Sequence, residues 1–231
     1  FTPATTTVGA QRLVLESAYS FLDNRHTFDT HSFPEFLARY GANEWLELRL
    51  GWNYEIGGEG NNTSGSGLGS EFDGGELVEE HTLSYGAKFA ITCQDGWIPQ
   101  SALIVQGFTP TGGPSSRTQL VATYVWGWQL STRGQLSASF RYGTETEEEN
   151  HGSLWAPSVV LKAPIGERWK IHGEYFGIFS SGLPDDRSPQ YFSPGAHYLI
   201  TSNFEVGVRI GWGLSDDAAN FFSNVGLGVR F

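Results

Sequence analysis

A chain of 231 residues with 30 Gly, 10 Pro, 14% aromatic and only 17% charged residues is unlike a helical or α/β globule; its length suits one β-barrel or two small domains. A net charge of −11 excludes a nucleic-acid partner, which needs a basic footprint. Cys93 stands alone, which excludes an intrachain disulfide and a Cys-based zinc site.

Taken in chain order, apolar and polar residues alternate with period two in segment after segment. Arg12–Phe21 sets Leu13, Leu15, Tyr19 and Phe21 against Arg12, Glu16 and Ser20. Pro34–Tyr40 opposes Phe36, Ala38 and Tyr40 to Glu35 and Arg39. In Trp45–Glu55, Leu46, Leu48, Leu50, Trp52 and Tyr54 face away from Glu47, Arg49, Asn53 and Glu55. Thr82–Thr92 opposes Leu83, Tyr85, Phe89 and Ile91 to Ser84 and Lys88, and Ser101–Phe108 is a strand of unassigned facing. Gln119–Leu130 puts Leu120, Tyr124, Trp126, Trp128 and Leu130 opposite Gln119, Thr123 and Gln129. Gln135–Tyr142, Ser158–Ala163 and Trp169–Phe179 follow, with Arg141, Lys162, Lys170, His172 and Glu174 on the polar side. Phe192–Ile200, Phe204–Leu214 and Phe221–Phe231 complete an even set of twelve strands.

Connector lengths alternate as well. Short turns at 41–44, 93–98, 131–134, 164–167 and 201–203 separate longer links at 22–33, 56–81, 109–118, 144–153, 180–189 and 215–220. The long links hold most of the acidic residues. This is the plan of a single up-and-down antiparallel barrel in the bacterial outer membrane, with short periplasmic turns and longer extracellular loops. Residues 1–231 read as one domain, with 1–10 an N-terminal periplasmic segment; the start Phe1-Thr2-Pro3 and the lack of Met read as a processed chain. A water-soluble sandwich would show the same alternation, but the apolar rows here carry Trp, Tyr and Phe near strand ends, as a lipid-facing surface does.

The charged rows are then expected to line a lumen. Arg12, Arg39, Arg49, Lys88, Arg141, Lys162, Lys170, Arg209 and Arg230 stand against Glu16, Glu35, Glu47, Glu55, Glu174 and Glu205. Symmetric turns would place Arg39 opposite Glu47, Glu205 opposite Arg230, and His172 opposite His197 with Glu174 two residues along. Phe176, Ile178 and Phe222 fall on the inward rows near the outer mouth, as either an apolar vestibule or a small plugging core. Phe231 ends the last lipid-facing row and is expected to serve as the signal read by the barrel-assembly machinery.

Catalytic settings are missing: none of the six His lies in a Ser/His/Asp or H-E-x-x-H pattern. His172, His197 and Glu174 have ligand chemistry, yet they read as a hydrogen-bonded lumen group, so no metal or cofactor is expected. The acidic runs Glu71–Glu80 and Glu145–Glu149 carry oxygen ligands for divalent ions without EF-hand spacing, and read as solvated loops.

The stretch Pro34–Gly51, PEFLARYGANEWLELRLG, resembles the signature P-E-x-L-x-R-Y-G-x-x-(D/E)-x-L-E-L-R-L-G of the outer-membrane transporters linked to the meta-pathway of phenol degradation. Glu174–Gly177 and the closing Gly226–Phe231 (GLGVRF) extend the likeness along nearly the whole chain. The resemblance implies a non-enzymatic barrel of about this size that passes aromatic or other small hydrophobic solutes between lipid-embedded walls. An alternative stays open: a structural or interaction barrel with a salt-bridged, plugged lumen, whose acidic loops are its working surface.

Overall fold

The computed structural model describes residues 1–64, 77–131, 134–147, 150–182 and 186–231. The Gly-rich residues 65–70, most of the acidic run expected at 71–80, and the acidic residues 148 and 149 lie outside them. Twelve antiparallel strands form the described fold. They are β1 (Leu13–Asp23), β2 (Thr30–Gly41), β3 (Leu46–Gly57), β4 (Val78–Thr92), β5 (Gln100–Gly112) and β6 (Gln119–Ser131). The second half comprises β7 (Gly134–Glu147), β8 (Asn150–Ile165), β9 (Trp169–Gly177, continued by Phe179–Ser181), β10 (Gln190–Leu199), β11 (Phe204–Gly213) and β12 (Phe221–Arg230). Both parts of β9 pair with β8, so they are one strand interrupted at Ile178, whose amide turns to the Pro189 carbonyl.

Each strand pairs with its sequence neighbours, and β1 pairs with β12 to close the cylinder. Leu13 and Phe231 exchange two backbone hydrogen bonds at that seam. Closure leaves no unpaired edge, which is what a strand structure in hydrocarbon requires.

The outer surface is apolar. Leu48, Leu50, Leu120, Tyr124, Leu161, Val208, Val225 and Leu227 are all exposed. Trp45, Tyr40 and Trp169 are exposed at the short-turn end, and Phe33, Tyr142 and Trp212 toward the long-loop end, forming two aromatic girdles. The inner surface carries Glu47, Lys88, Arg141, Glu174 and Arg209, all buried. A soluble protein would show the reverse, so the charged side is the inside and the barrel spans a membrane. The strand whose facing the sequence left open, β5, buries Ala102, Ile104 and Phe108 and exposes Val105.

Three expectations are corrected. β7 and β8 run on to Glu147 and from Asn150, so the long loop expected at 144–153 is mostly strand. The β2–β3 turn brings Gly41 opposite Glu47 and Arg39 opposite Arg49, two residues off the expected register. Its cause is Asn43, whose side-chain oxygen accepts from the amides of Trp45 and Leu46 and moves the turn centre toward Glu44. Similar offsets put Glu205 opposite Gly228 and His172 opposite Gly195. The 215–220 loop folds asymmetrically, with the Asn220 amide bonded to the Asp23 carbonyl and Ala218 and Ala219 buried.

Leu50 lies mid-strand in β3 and is 52% exposed on the lipid side. Leu50→Arg is expected to lower unfolding stability by about 2–4 kcal/mol in lipid bilayers. Urea titration in vesicles checks this; an unchanged midpoint would mean that this row does not face hydrocarbon.

Candidate functional site

The N-terminal residues do not hang below the barrel as expected; they run inside it. Residues 1–8 form a strap through the lumen, anchored along its length by inward side chains. It enters at the short-turn end past Gly41, where a Cβ would collide with the Gly9 carbonyl, and Gly9 itself holds φ +86°. The Val8 amide donates to Glu47 Oε2 at 3.0 Å. Lys88 Nζ donates to the carbonyls of Ala4 and Thr6, each at 2.5 Å. The Thr2 amide donates to Glu174 Oε1 at 2.6 Å, and the Thr2 hydroxyl lies 2.7 Å from Ser158 Oγ. The Phe1 nitrogen lies 3.2 Å from Glu174 Oε2, and Arg141 Nη2 donates to the Phe1 carbonyl at 2.7 Å.

A second element enters from the opposite end. Residues Asn61–Ser64, just after β3, fold inward and are largely buried. Asn61 donates to Glu35 Oε1 through its side chain at 2.7 Å and to Glu55 Oε2 through its amide at 3.3 Å. Arg209 Nη2 donates to the Thr63 carbonyl at 2.7 Å while its Nη1 pairs with Glu174 Oε2 at 3.2 Å. Arg141 reaches both elements, donating to the Ser64 carbonyl as well as to Phe1. Glu174, Arg141 and Arg209 therefore join strap and loop into one polar knot in the middle of the barrel.

Above the knot lies an apolar cap. Phe176 and Phe222, both fully buried, pack with Leu22, Tyr191, Ala218 and Ala219. Phe1 stacks on Phe176 at 4.2 Å, and the Arg141 guanidinium sits 4.1 Å from the Phe1 ring centre. Ile178 packs in a neighbouring cluster with Phe108, Val121, Leu154 and Ala156, and Phe1 touches this cluster too. The three apolar residues of the outer mouth are thus packed cores around Phe1. The 214–220 loop is pinned over the cap: Arg25 donates to the Ala218 carbonyl, and Ala219 donates to the Tyr191 hydroxyl. In that loop burial opposes the charge of Asp217, but hydrogen bonds from Ser215 and the Ser188 amide outweigh it and hold the carboxyl below its usual range.

The remaining lumen residues split into pairs other than those the sequence suggested. Arg39 pairs with Glu16 on β1 at 2.9 Å, and Glu47 with Arg49 on its own strand at 2.8 Å. Glu205 takes His197 at 2.9 Å and Lys170 at 3.8 Å. The His172 and His197 rings lie 5.3 Å apart, diagonal across the β9–β10 pair, while Glu174 is committed to Arg209 and the strap. Arg12, Lys170 and Arg230 are exposed at the short-turn rim. Among the described residues, no cluster of three His, Cys, Asp or Glu has metal-site geometry.

Between strap, loop and wall remains a cavity of about 410 Å³, reached by Glu16, Glu35, Arg49, Lys162, His172 and Arg209. Nothing in the sequence pointed to Asn61, Thr63 or Ser64 as lumen groups. Tyr191 was recoverable, because starting its strand one residue earlier places it on the His197 row.

Glu174→Gln is expected to destabilise the folded barrel by about 3 kcal/mol, because it leaves Arg209 buried without its carboxylate. The double variant with Arg209→Met should lose less than the two single losses added. Thermal melts of the heat-modifiable form measure both; strict additivity would mean that the two groups do not interact.

A family model described as "Putative MetA-pathway of phenol degradation" matches residues 1–231. No curated protein sequence matches the chain. Among solved structures, the COG4313 outer membrane channel from Pseudomonas putida F1 superimposes with a TM-score of 0.67 at 10% identity, covering 100% of both chains. The NanC porin does so with 0.57 at 9% identity, over 95% of this chain and 100% of that one. The KdgM porin gives 0.56 at 10% identity, over 94% and 99%. These likenesses define the fold as that of bacterial outer-membrane barrels.

Proposed function

The chain belongs to the family described as "Putative MetA-pathway of phenol degradation", and from that premise we propose that it is an outer-membrane channel for small solutes of apolar or aromatic character, closed in this structure by its own strap and loop. The observation that carries the proposal is the kind of contact holding the closure. The strap bonds to the wall through backbone groups: the Ala4 and Thr6 carbonyls, the Thr2 and Val8 amides. Each partner left behind by its withdrawal can be hydrated in an opened lumen, where a water-reachable charge costs little. A permanently structural plug would instead be expected to bury a continuous apolar contact along its length. In this strap apolar burial is confined to Phe1, which packs against both clusters, and Val8, with polar residues between them.

Orientation follows from connector length, with the short turns and the strap's entry at the periplasmic end and the pinned loops outside. KdgM and NanC are porins and the Pseudomonas putida barrel is an outer membrane channel; the same role suits a lumen of paired charges better than catalysis does. The His172 and His197 rings lie side by side, and His197 is bonded to Glu205, an arrangement without a nucleophile between them. Insertion would depend on the barrel-assembly machinery, since the strand edges that meet at Leu13 and Phe231 need cover until they pair.

Planar-bilayer recording tests the proposal. The full chain should show low conductance, and a variant lacking residues 1–8 should show a conductance at least several-fold larger. Lys88→Met, which removes two strap contacts, should flicker between the two levels. If trimming the strap leaves the barrel folded and no more conductive, the closure is structural and the interaction-barrel reading takes its place.

A further inference from the structure

We propose that the lumen cavity is a binding site for small organic carboxylates, anchored at Lys162. The proposal rests on the channel reading for its biological setting and names the class of solute that the channel would take.

The argument is one of charge partners. The six carboxylates that the sequence places on the lumen rows each have a partner among the described residues. Glu16 holds Arg39, Glu47 holds Arg49, and Glu205 holds His197 with Lys170. Glu174 holds Arg209 and the Thr2 amide, while Glu35 and Glu55 hold Asn61. The cations Lys88 and Arg141 are taken by strap and loop carbonyls. Lys162 is different. It projects from β8 into the cavity, and no described residue lies within ion-pairing or hydrogen-bonding distance of its ammonium.

Position gives the site its shape. Lys162 lies directly across from His172 on β9 and from Gln135 on β7. Of these two, His172 also lines the cavity, and its ring N–H can donate a hydrogen bond to an anion. Two residues along β8, Val160 also lines the cavity, and beyond it Ser158 is paired with Phe176, on which Phe1 stacks. A solute entering here would find a cation at one end and an apolar wall of Val160 and Phe1 toward the other. A cavity of about 410 Å³ falls in the usual range of small-molecule sites, roughly 300–1,000 Å³. The arrangement therefore favours a small acid with an apolar body over a neutral solute of the same shape. An ammonium with no hydrogen-bond or ion-pair partner among the described residues, in a confined, partly dehydrated space, gains from such an anion more than from water, because charge-assisted bonds strengthen as dielectric falls.

Calorimetric titration of the full-length protein in detergent with sodium benzoate, against its neutral isostere benzamide, tests this. Benzoate should bind at least tenfold more tightly than benzamide. Lys162→Gln should abolish that preference, while Lys162→Arg should keep most of it. Equal binding of the two compounds, or no benzoate binding at all, overturns the proposal, as does an unchanged preference in Lys162→Gln with a native heat-modifiable band. Failure of the channel reading would look different. In that case benzoate would bind as described, yet strap-trimmed protein in vesicles would pass neither benzoate nor benzamide.

Discussion

The interior of this barrel depends on one carboxylate, Glu174. The cylinder itself is held by the hydrogen-bond ladders of twelve strands, and any inward side chains that fit would leave those ladders intact. What fills the cylinder is another matter. Glu174 is buried and accepts from Arg209, the Thr2 amide and the Phe1 nitrogen at once. A buried carboxylate is tolerable only with its lone pairs satisfied, so it fixes where strap and guanidinium must sit. Arg209 in turn fixes Thr63, and Arg141 fixes Phe1 and Ser64. Strap and loop do not touch the wall independently. They share the same three charges, which couples an element from the periplasmic end to one from the outer end.

The architecture was legible in the sequence because lipid imposes a strict rule. Every strand must alternate, as Leu46 to Ile56 does with Glu47 to Glu55 opposite, and nothing in the hydrocarbon relaxes that demand. The facing of a residue such as Arg141 or Lys162 follows from a count of two. Pairing was less legible, because it depends on turn details of one or two residues. Asn43 capping its own turn was enough to move Arg39 from Glu47 to Arg49, and Glu16 on the other neighbouring strand became its partner instead. The strap was not legible at all. Phe1 to Val8 has no alternation or charge to mark it, and its place is decided by acceptors and donors far along the chain, at Glu47, Lys88 and Glu174. The same holds for Asn61 to Ser64, a polar stretch indistinguishable in sequence from a solvated loop.

The two ends of the closure differ in physical kind, and this bears on how it could open. At the periplasmic half the contacts are polar and exchangeable with water. At the outer half Phe176, Phe222, Tyr191 and Leu22 form a dry cluster, braced by Arg25 and the Tyr191 hydroxyl. Opening that half exposes apolar area, at about 25 cal/mol for each Å². Withdrawing the strap gives up polar contacts at Glu174, Glu47 and Lys88, which water can replace, and the contact of the Phe1 ring with Phe176 and with Arg141. An apolar solute that replaced the Phe1 ring against Phe176 would offset that loss, so the solute itself would favour the open arrangement by taking the place of the plug.

Withdrawal of the strap also changes the charge that a solute meets. Glu174 keeps Arg209, Glu47 keeps Arg49 and Glu205 keeps His197, because those partners belong to the wall. Lys88 loses both of its acceptors, and Arg141 loses the Phe1 carbonyl. The carboxylates therefore keep their wall partners in either state, whereas Lys88 and Arg141 lose their strap acceptors. The strap carries no charged side chain, so its withdrawal uncovers Lys88 and Arg141 without adding charge to the lumen, and Glu174 gives up the Phe1 nitrogen and the Thr2 amide. Lys162, which has no hydrogen-bond or ion-pair partner among the described residues, is then joined by Lys88 and Arg141 as cations that a solute can meet. A carboxylate that first settles at Lys162 in the closed state would find further cations uncovered as the strap leaves, which is the charge gradient that conduction of an anion needs.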